Sequence, residues 1–167
     1  MKILLIYPYC LEDRLHEEDV RAVPIGLYYV GAVLKEHGYD VEILNWHHMN
    51  GRAEEMERIL AEKGADVIGL SILHANRWGG IEIARTAKKL DPGVRVVFGG
   101  VGATFLWKHF LMHFKEVDFV VIGEGEYTFL ELVKCFEKGS LKDVENIRGI
   151  AFKKKREIKK TSAISII

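Results

Sequence analysis

Three observations predict an α/β protein built on a doubly wound parallel sheet. Five short apolar runs, at 3–7, 41–44, 66–71, 94–98 and 119–122, are each followed by a helical pattern, and such alternation is how a chain lays helices on both faces of a parallel sheet. The run at 3–7 is continuously apolar rather than alternating, as expected of a strand covered on both faces. Glycine clusters close two of the runs, Gly99-Gly100-Val101-Gly102 and Gly123-Glu124-Gly125-Glu126. Turns without side chains at the carboxyl ends of strands are where an open sheet forms its ligand crevice.

The elements follow in order. The first strand, 3–7, ends at Pro8, and a polar segment at 11–19 follows that is long for a βα connection; long connections of this kind often carry function. Pro24 opens the first helix, where its missing N–H does no harm. Gly26, Val30, Val33 and Leu34 make its apolar stripe, and Gly38 is its stop signal. Strand two is 41–44. A charged amphipathic helix at 54–60 closes at Gly64, and strand three is 66–71. The third helix, 80–90, ends in Asp91-Pro92-Gly93, and strand four is 94–98. Helix four covers 104–114, strand five 119–122, and helix five 127–137, stopped by Gly139. At 148–160, two short apolar stretches flank a Lys/Arg turn and read as a small β-hairpin appended to the domain. The chain thus divides into a ligand-binding domain at 1–145 and a hairpin and linker at 146–167. Right-handed crossovers leave few topologies. The flavodoxin-like order 2-1-3-4-5 is expected, with its switch point between strands one and three. The crevice would be lined by the loop after Tyr7 and by Ser71-Ile72-Leu73-His74, with Gly99-Gly100 at its flank.

Composition narrows the function. The 167 residues suit one domain with a single core. Lys+Arg and Asp+Glu are equal at 24 each, so no electrostatic footprint for nucleic acid or an anionic membrane is present. No stretch approaches the ~20 apolar residues that span a bilayer, and the apolar start is too short for a signal peptide. The two cysteines, Cys10 and Cys135, form no Cys-x-x-Cys spacing. An iron–sulfur cluster or cysteine-rich zinc site from this chain alone is excluded, and a reducing cytoplasm is expected.

Candidate chemistry gathers on the predicted rim. Gly99-Gly100-Val101-Gly102 reads either as a cofactor turn or as a plain tight turn; Phe105 stands where a dinucleotide fingerprint needs its third glycine, and no Gly-Lys-Ser/Thr exists. Glu126 suits a helix start, whereas Glu124, held between glycines, reads either as a contact to a ligand hydroxyl or amide or as a solvated loop residue. His109 and His113 sit four apart on a helix without a Glu-x-x-His context, which favours a surface pair over zinc. His47-His48 read as loop residues. His74 is the rim histidine, and His16 lies in the long first loop. No catalytic triad or nucleophile elbow is recognisable.

The apolar start at 3–8 is joined by Val23-Pro24-Ile25-Gly26-Leu27-Tyr28-Tyr29-Val30-Gly31-Ala32-Val33-Leu34 and Gly38-Tyr39-Asp40-Val41. Asp66-Val67-Ile68-Gly69-Leu70-Ser71, Val97-Phe98-Gly99-Gly100 and the stretch 118–126 complete the pattern. Together they resemble the cobalamin-binding domain at the head of cobalamin-dependent radical SAM enzymes, over about residues 1–137, with the hairpin also similar. The resemblance implies a cobalamin (methylcobalamin or hydroxocobalamin) across the carboxyl ends of the strands, its nucleotide tail entering near Gly99-Gly100. Ser71 and Leu73 would flank the tail and Gly123 and Glu124 would form the other wall. The cofactor-binding set it implies is Pro24, Gly26, Leu27, Ser71, Ile72, Leu73, His74, Gly99, Gly100, Val101, Gly102, Thr104, Gly123, Glu124 and Gly125, with no catalytic or metal-ligating residue. Valine at Gly99 or Gly100 would then block the tail with little effect on the fold. The implied partner is a radical SAM catalytic domain, in cis or in trans, to which an iron–sulfur cluster and S-adenosylmethionine would belong. Two departures stand out. Asp13-Arg14-Leu15-His16 is not the Asp-x-His-x-x-Gly that supplies a histidine to cobalt, and Gly102 stands where many relatives carry histidine in Gly-Gly-x-His-x-Thr, though Thr104 is kept. Without Cys-x-x-x-Cys-x-x-Cys the chain is not expected to catalyse anything alone. The alternatives are a module for a flavin or another nucleotide-tailed cofactor, and a ligand-free interaction domain; the acidic 11–19 loop disfavours phosphate.

Overall fold

The computed structural model describes residues 1–11, 23–140, 142–154 and 157–162. Its elements are β1 (Lys2–Tyr7), α1 (Ile25–Glu36), β2 (Asp40–Asn45), α2 (Ala53–Lys63), β3 (Val67–Ser71), α3 (Arg77–Leu90), β4 (Arg95–Gly99), α4 (Val101–His113), β5 (Phe119–Val121), α5 (Glu126–Glu137), a 3-10 turn (Asp143–Asn146), β6 (Ile150–Lys154) and β7 (Glu157–Lys160). The strands run in the order β2-β1-β3-β4-β5-β6-β7. The first five are parallel, as expected of the flavodoxin-like order.

Two features differ from the sequence expectation. The hairpin is not an appendage: β6 pairs antiparallel with β5, Phe119 opposite Phe152, and widens the sheet to seven strands. Strand β5 is only three residues long, and Ile150, Ala151 and Phe152 bury themselves beside it, so the hairpin covers what would be an open sheet edge. Helices α3 and α4 also start three residues earlier than their apolar periodicity indicates, which places Val101 and Gly102 in the first turn of α4 rather than in a free loop.

Side-chain alternation along the strands divides the core. Ile3, Leu5, Val67 and Val97 pack under α1 and α5. Leu4, Ile6, Ile68, Leu70, Val96 and Phe98 pack under α2, α3 and α4. Phe98 is fully buried and meets Phe110 edge to face, with ring centroids 5.1 Å apart; burial of one such ring contributes ~1.5–3 kcal/mol. No described helix is long and apolar enough to cross a membrane.

The chain leaving β1 is clamped onto α3. A Cβ at Gly79 would lie 2.2 Å from the Tyr9 carbonyl oxygen, so only glycine lets this helix approach. The buried Tyr9 hydroxyl donates to Glu82 Oε2 at 2.6 Å. Burial, then the hydrogen bond and charge of Glu82, raise the pKa of the Tyr9 phenol above its ordinary value. Because the folded pKa is the higher one, this stabilisation is complete below the unfolded value of about 10 and is lost as pH rises through the folded value. Tyr9→Phe is therefore expected to lower stability by about 1 kcal/mol at neutral pH and to flatten the decline above about pH 10, as read by denaturant unfolding at both pH values.

Candidate cofactor site

A cavity of about 160 Å³ opens between α1 and α5 above the carboxyl halves of β1, β3, β4 and β5. Its floor is two cross-strand rows. The deep row is Leu5, Gly69 and Val97, paired in register. Two residues further along, the mouth row carries Ser71 opposite Gly99. Residues two apart on a strand share a face, so Gly69 and Ser71, like Val97 and Gly99, point toward α1 and α5. Leu27 and Val30 of α1 and Phe129 of α5 form the walls.

The glycines here serve three different ends. A Cβ on Gly69 would lie 2.8 Å from Leu5 Cδ2 and 2.9 Å from Phe129 Cε2, so that glycine lets core side chains close over the floor. A Cβ on Gly99 would meet only Val121 Cβ at 4.0 Å; its missing side chain is open cavity. Gly100 has φ +88° and its Cβ would lie 3.0 Å from the Ile72 carbonyl oxygen. There the backbone itself demands glycine, which corrects the expectation that valine at Gly100 spares the fold.

The rim is held by hydrogen bonds between loops. The Ile72 N–H donates to the Gly99 carbonyl at 2.8 Å, and the Gly102 N–H donates to the Ile72 carbonyl at 2.9 Å. Fully buried Asn76 accepts from the Leu73 N–H at 2.7 Å and donates to the Ser71 carbonyl at 3.2 Å. The Gly123 N–H donates to Thr104 Oγ1 at 3.0 Å, tying the β5–α5 loop to α4. Asn76→Ala would remove the side-chain partner of a part-buried N–H and carbonyl, at about 1–2 kcal/mol; a fall of a few degrees in melting temperature is the expected reading.

Eight of the residues singled out from sequence line this cavity: Gly26, Leu27, Ser71, Gly99, Gly100, Gly123, Glu124 and Gly125. The other seven stand around it. Pro24 is buried just before α1, its carbonyl accepting from the Leu27 N–H. Ile72 is buried against the opposite face. Leu73 and His74 are exposed on the β3–α3 loop, and Val101 is exposed on α4. Gly102 packs on the Leu73 backbone, and half-buried Thr104 holds Gly123. His16 lies outside the described residues. The His109 and His113 rings lie 4.7 Å apart on an exposed helix face. Among the described residues no group of three or more metal-ligating side chains assembles. Sequence reasoning missed Leu5, Val30, Gly69, Val97, Val121, Glu126, Phe129 and the positioning residue Asn76; counting back by twos from Ser71 and Gly99 finds Gly69 and Val97.

The cavity changes character with depth. Hydrocarbon fills the floor and walls, while the mouth carries the Ser71 hydroxyl and the carboxylates of Glu124 and Glu126. None of the described residues lining it is cationic.

Comparison with known proteins gives the family and the fold. The B12 binding domain model matches residues 18–133. The uncharacterized methyltransferase PH0819 of Pyrococcus horikoshii is 28% identical over 159 residues, which cover 95% of this chain and 34% of that protein. An anaerobic magnesium-protoporphyrin IX monomethyl ester cyclase of Cereibacter sphaeroides is 26% identical over 150 residues, covering 86% of this chain and 24% of its own length. The chain thus spans about a quarter to a third of these relatives. In three dimensions it is similar to the cobalamin-dependent S-adenosylmethionine radical enzyme OxsB, solved with aqua-cobalamin and S-adenosylmethionine bound. The TM-score is 0.79 at 20% identity, over 99% of this chain and 23% of that one. With most of its length matched by that family model, the chain belongs to the B12 binding domain family.

Proposed function

We propose that this domain holds cobalamin on the carboxyl edge of its sheet, with the lower-base nucleotide tail inserted between α1 and α5. The observation that carries this reading is the open space above Gly99 in a slot of about 160 Å³. Pockets that enclose a whole small molecule measure about 300–1,000 Å³, so a slot this size takes one arm of a larger ligand. The residues present fit such an arm. The space above Gly99, backed by the hydrocarbon of Leu27, Val30, Val97 and Phe129, suits a flat apolar ring system, and the Ser71 hydroxyl and the Glu124 and Glu126 carboxylates would face the more polar part that follows it, where they can accept from ribose hydroxyls or amides. Bound there, cobalamin would supply methyl-carrying or redox chemistry at cobalt, above the rim.

The domain would serve methyl transfer or cobalamin-assisted radical chemistry in a radical SAM domain of the same longer protein. Support comes from the relatives, which include a methyltransferase and a cyclase and extend well beyond the matched segment. In this reading residues 1–145 hold the cofactor and 146–167 lead toward the catalytic domain.

Equilibrium dialysis of the purified domain against methylcobalamin, hydroxocobalamin and FMN tests the proposal. Saturable one-to-one binding of both cobalamins without FMN is expected. Binding of FMN instead, or of neither cofactor class, would overturn it.

A further inference from the structure

We infer that the slot also selects which lower base it accepts, favouring a cobamide with an apolar benzimidazole over one carrying adenine. This rests on the tail-in-slot reading above. The argument is the absence of spare polar groups at depth. Leu5, Gly69 and Val97 present hydrocarbon or no side chain at all, and Phe129 closes over them. Their backbone groups are committed too, because β1, β3 and β4 each have a hydrogen-bonded strand on both sides. Phe129 lies within α5, where its N–H donates to the Gly125 carbonyl at 2.8 Å. The side-chain donors and acceptors of the lining, Ser71, Glu124 and Glu126, stand at the mouth.

Dimethylbenzimidazole buries two methyl groups and a benzene ring at depth and keeps its nitrogens on the five-membered ring. Adenine carries an exocyclic amine and further ring nitrogens on its six-membered ring, and each would lose water against carbon without a new partner. Discrimination of this kind amounts to about 10–100-fold in binding. Adenine is also the weaker base and leaves cobalt more readily. That step favours the adenine form, so it cannot produce the preference expected here.

The test is to measure dissociation constants for three corrinoids by equilibrium dialysis: cobalamin, its adenine analogue, and cobinamide, which lacks the nucleotide. Cobalamin tightest, the adenine analogue about 10–100-fold weaker and cobinamide weakest is the expected order. Val97→Thr, which puts a hydroxyl of nearly the same shape on the deep row, is expected to narrow the cobalamin-to-adenine ratio several-fold. A melting curve on that variant checks that it folds. Equal binding of cobalamin and the adenine analogue, with cobinamide weaker, would overturn the selectivity while leaving the tail in the slot. Equal binding of all three would remove the tail from the slot and the inference with it.

Discussion

Gly99→Leu is expected to weaken cobalamin binding by 100-fold or more, on the order of 3 kcal/mol, while the domain keeps its melting temperature. A Cβ there meets nothing nearer than Val121 Cβ at 4.0 Å, so the side chain starts in the open space of the slot. Added bulk at that point fills the slot without displacing the core, so the change in stability should stay within about 0.5 kcal/mol. Titration of wild type and variant under the same conditions, with melting curves on both, gives the two readings. Gly100→Val makes the contrasting control. Its positive φ and the Ile72 carbonyl 3.0 Å away predict loss of stability as well as of binding.

Gly102→Ala is expected to destabilise the fold by about 2–3 kcal/mol, a cost typical of forcing atoms into a close-packed seam. A single added methyl would lie 2.7 Å from the Leu73 carbonyl carbon and 2.8 Å from the Ile72 carbonyl oxygen. Both obstacles are backbone and neither can swing away, so α4 must lift from the β3–α3 loop. The same movement would break the Gly102 N–H bond to Ile72. For a domain of this size that amounts to roughly 5–10 °C in melting temperature. An unchanged melting curve would show that the two loops are not locked together as described.

These neighbouring glycines also show what the sequence can and cannot reveal. The doubly wound fold was legible because five short, largely apolar runs alternate with helical patterns, and that pattern is local. The docking of β6 on β5 was not, because antiparallel pairing across some thirty residues (Phe119 with Phe152) leaves no local trace. At the site, the glycine turns after β4 and β5 marked the mouth. In sequence, however, Gly99, Gly100 and Gly102 look alike; only distances separate one that leaves a cavity, one that needs a left-handed backbone and one that admits a helix. The deep row stayed hidden for a different reason. Leu5 and Val97 are ordinary core residues by composition, and they become a floor only once register sets them beside Gly69. Asn76 gave no signal either, because a single asparagine before a helix usually caps it, whereas this one holds the Ser71 and Leu73 backbone.

The central claim is that the slot between α1 and α5 holds the lower base away from cobalt. The visible spectrum of methylcobalamin bound to the purified domain at neutral pH tests it most directly. A base-off spectrum, which free methylcobalamin shows only in acid, is the predicted result. A bound cofactor that keeps its base-on spectrum would contradict the claim, because its tail would still be coordinated to cobalt and the slot would be empty.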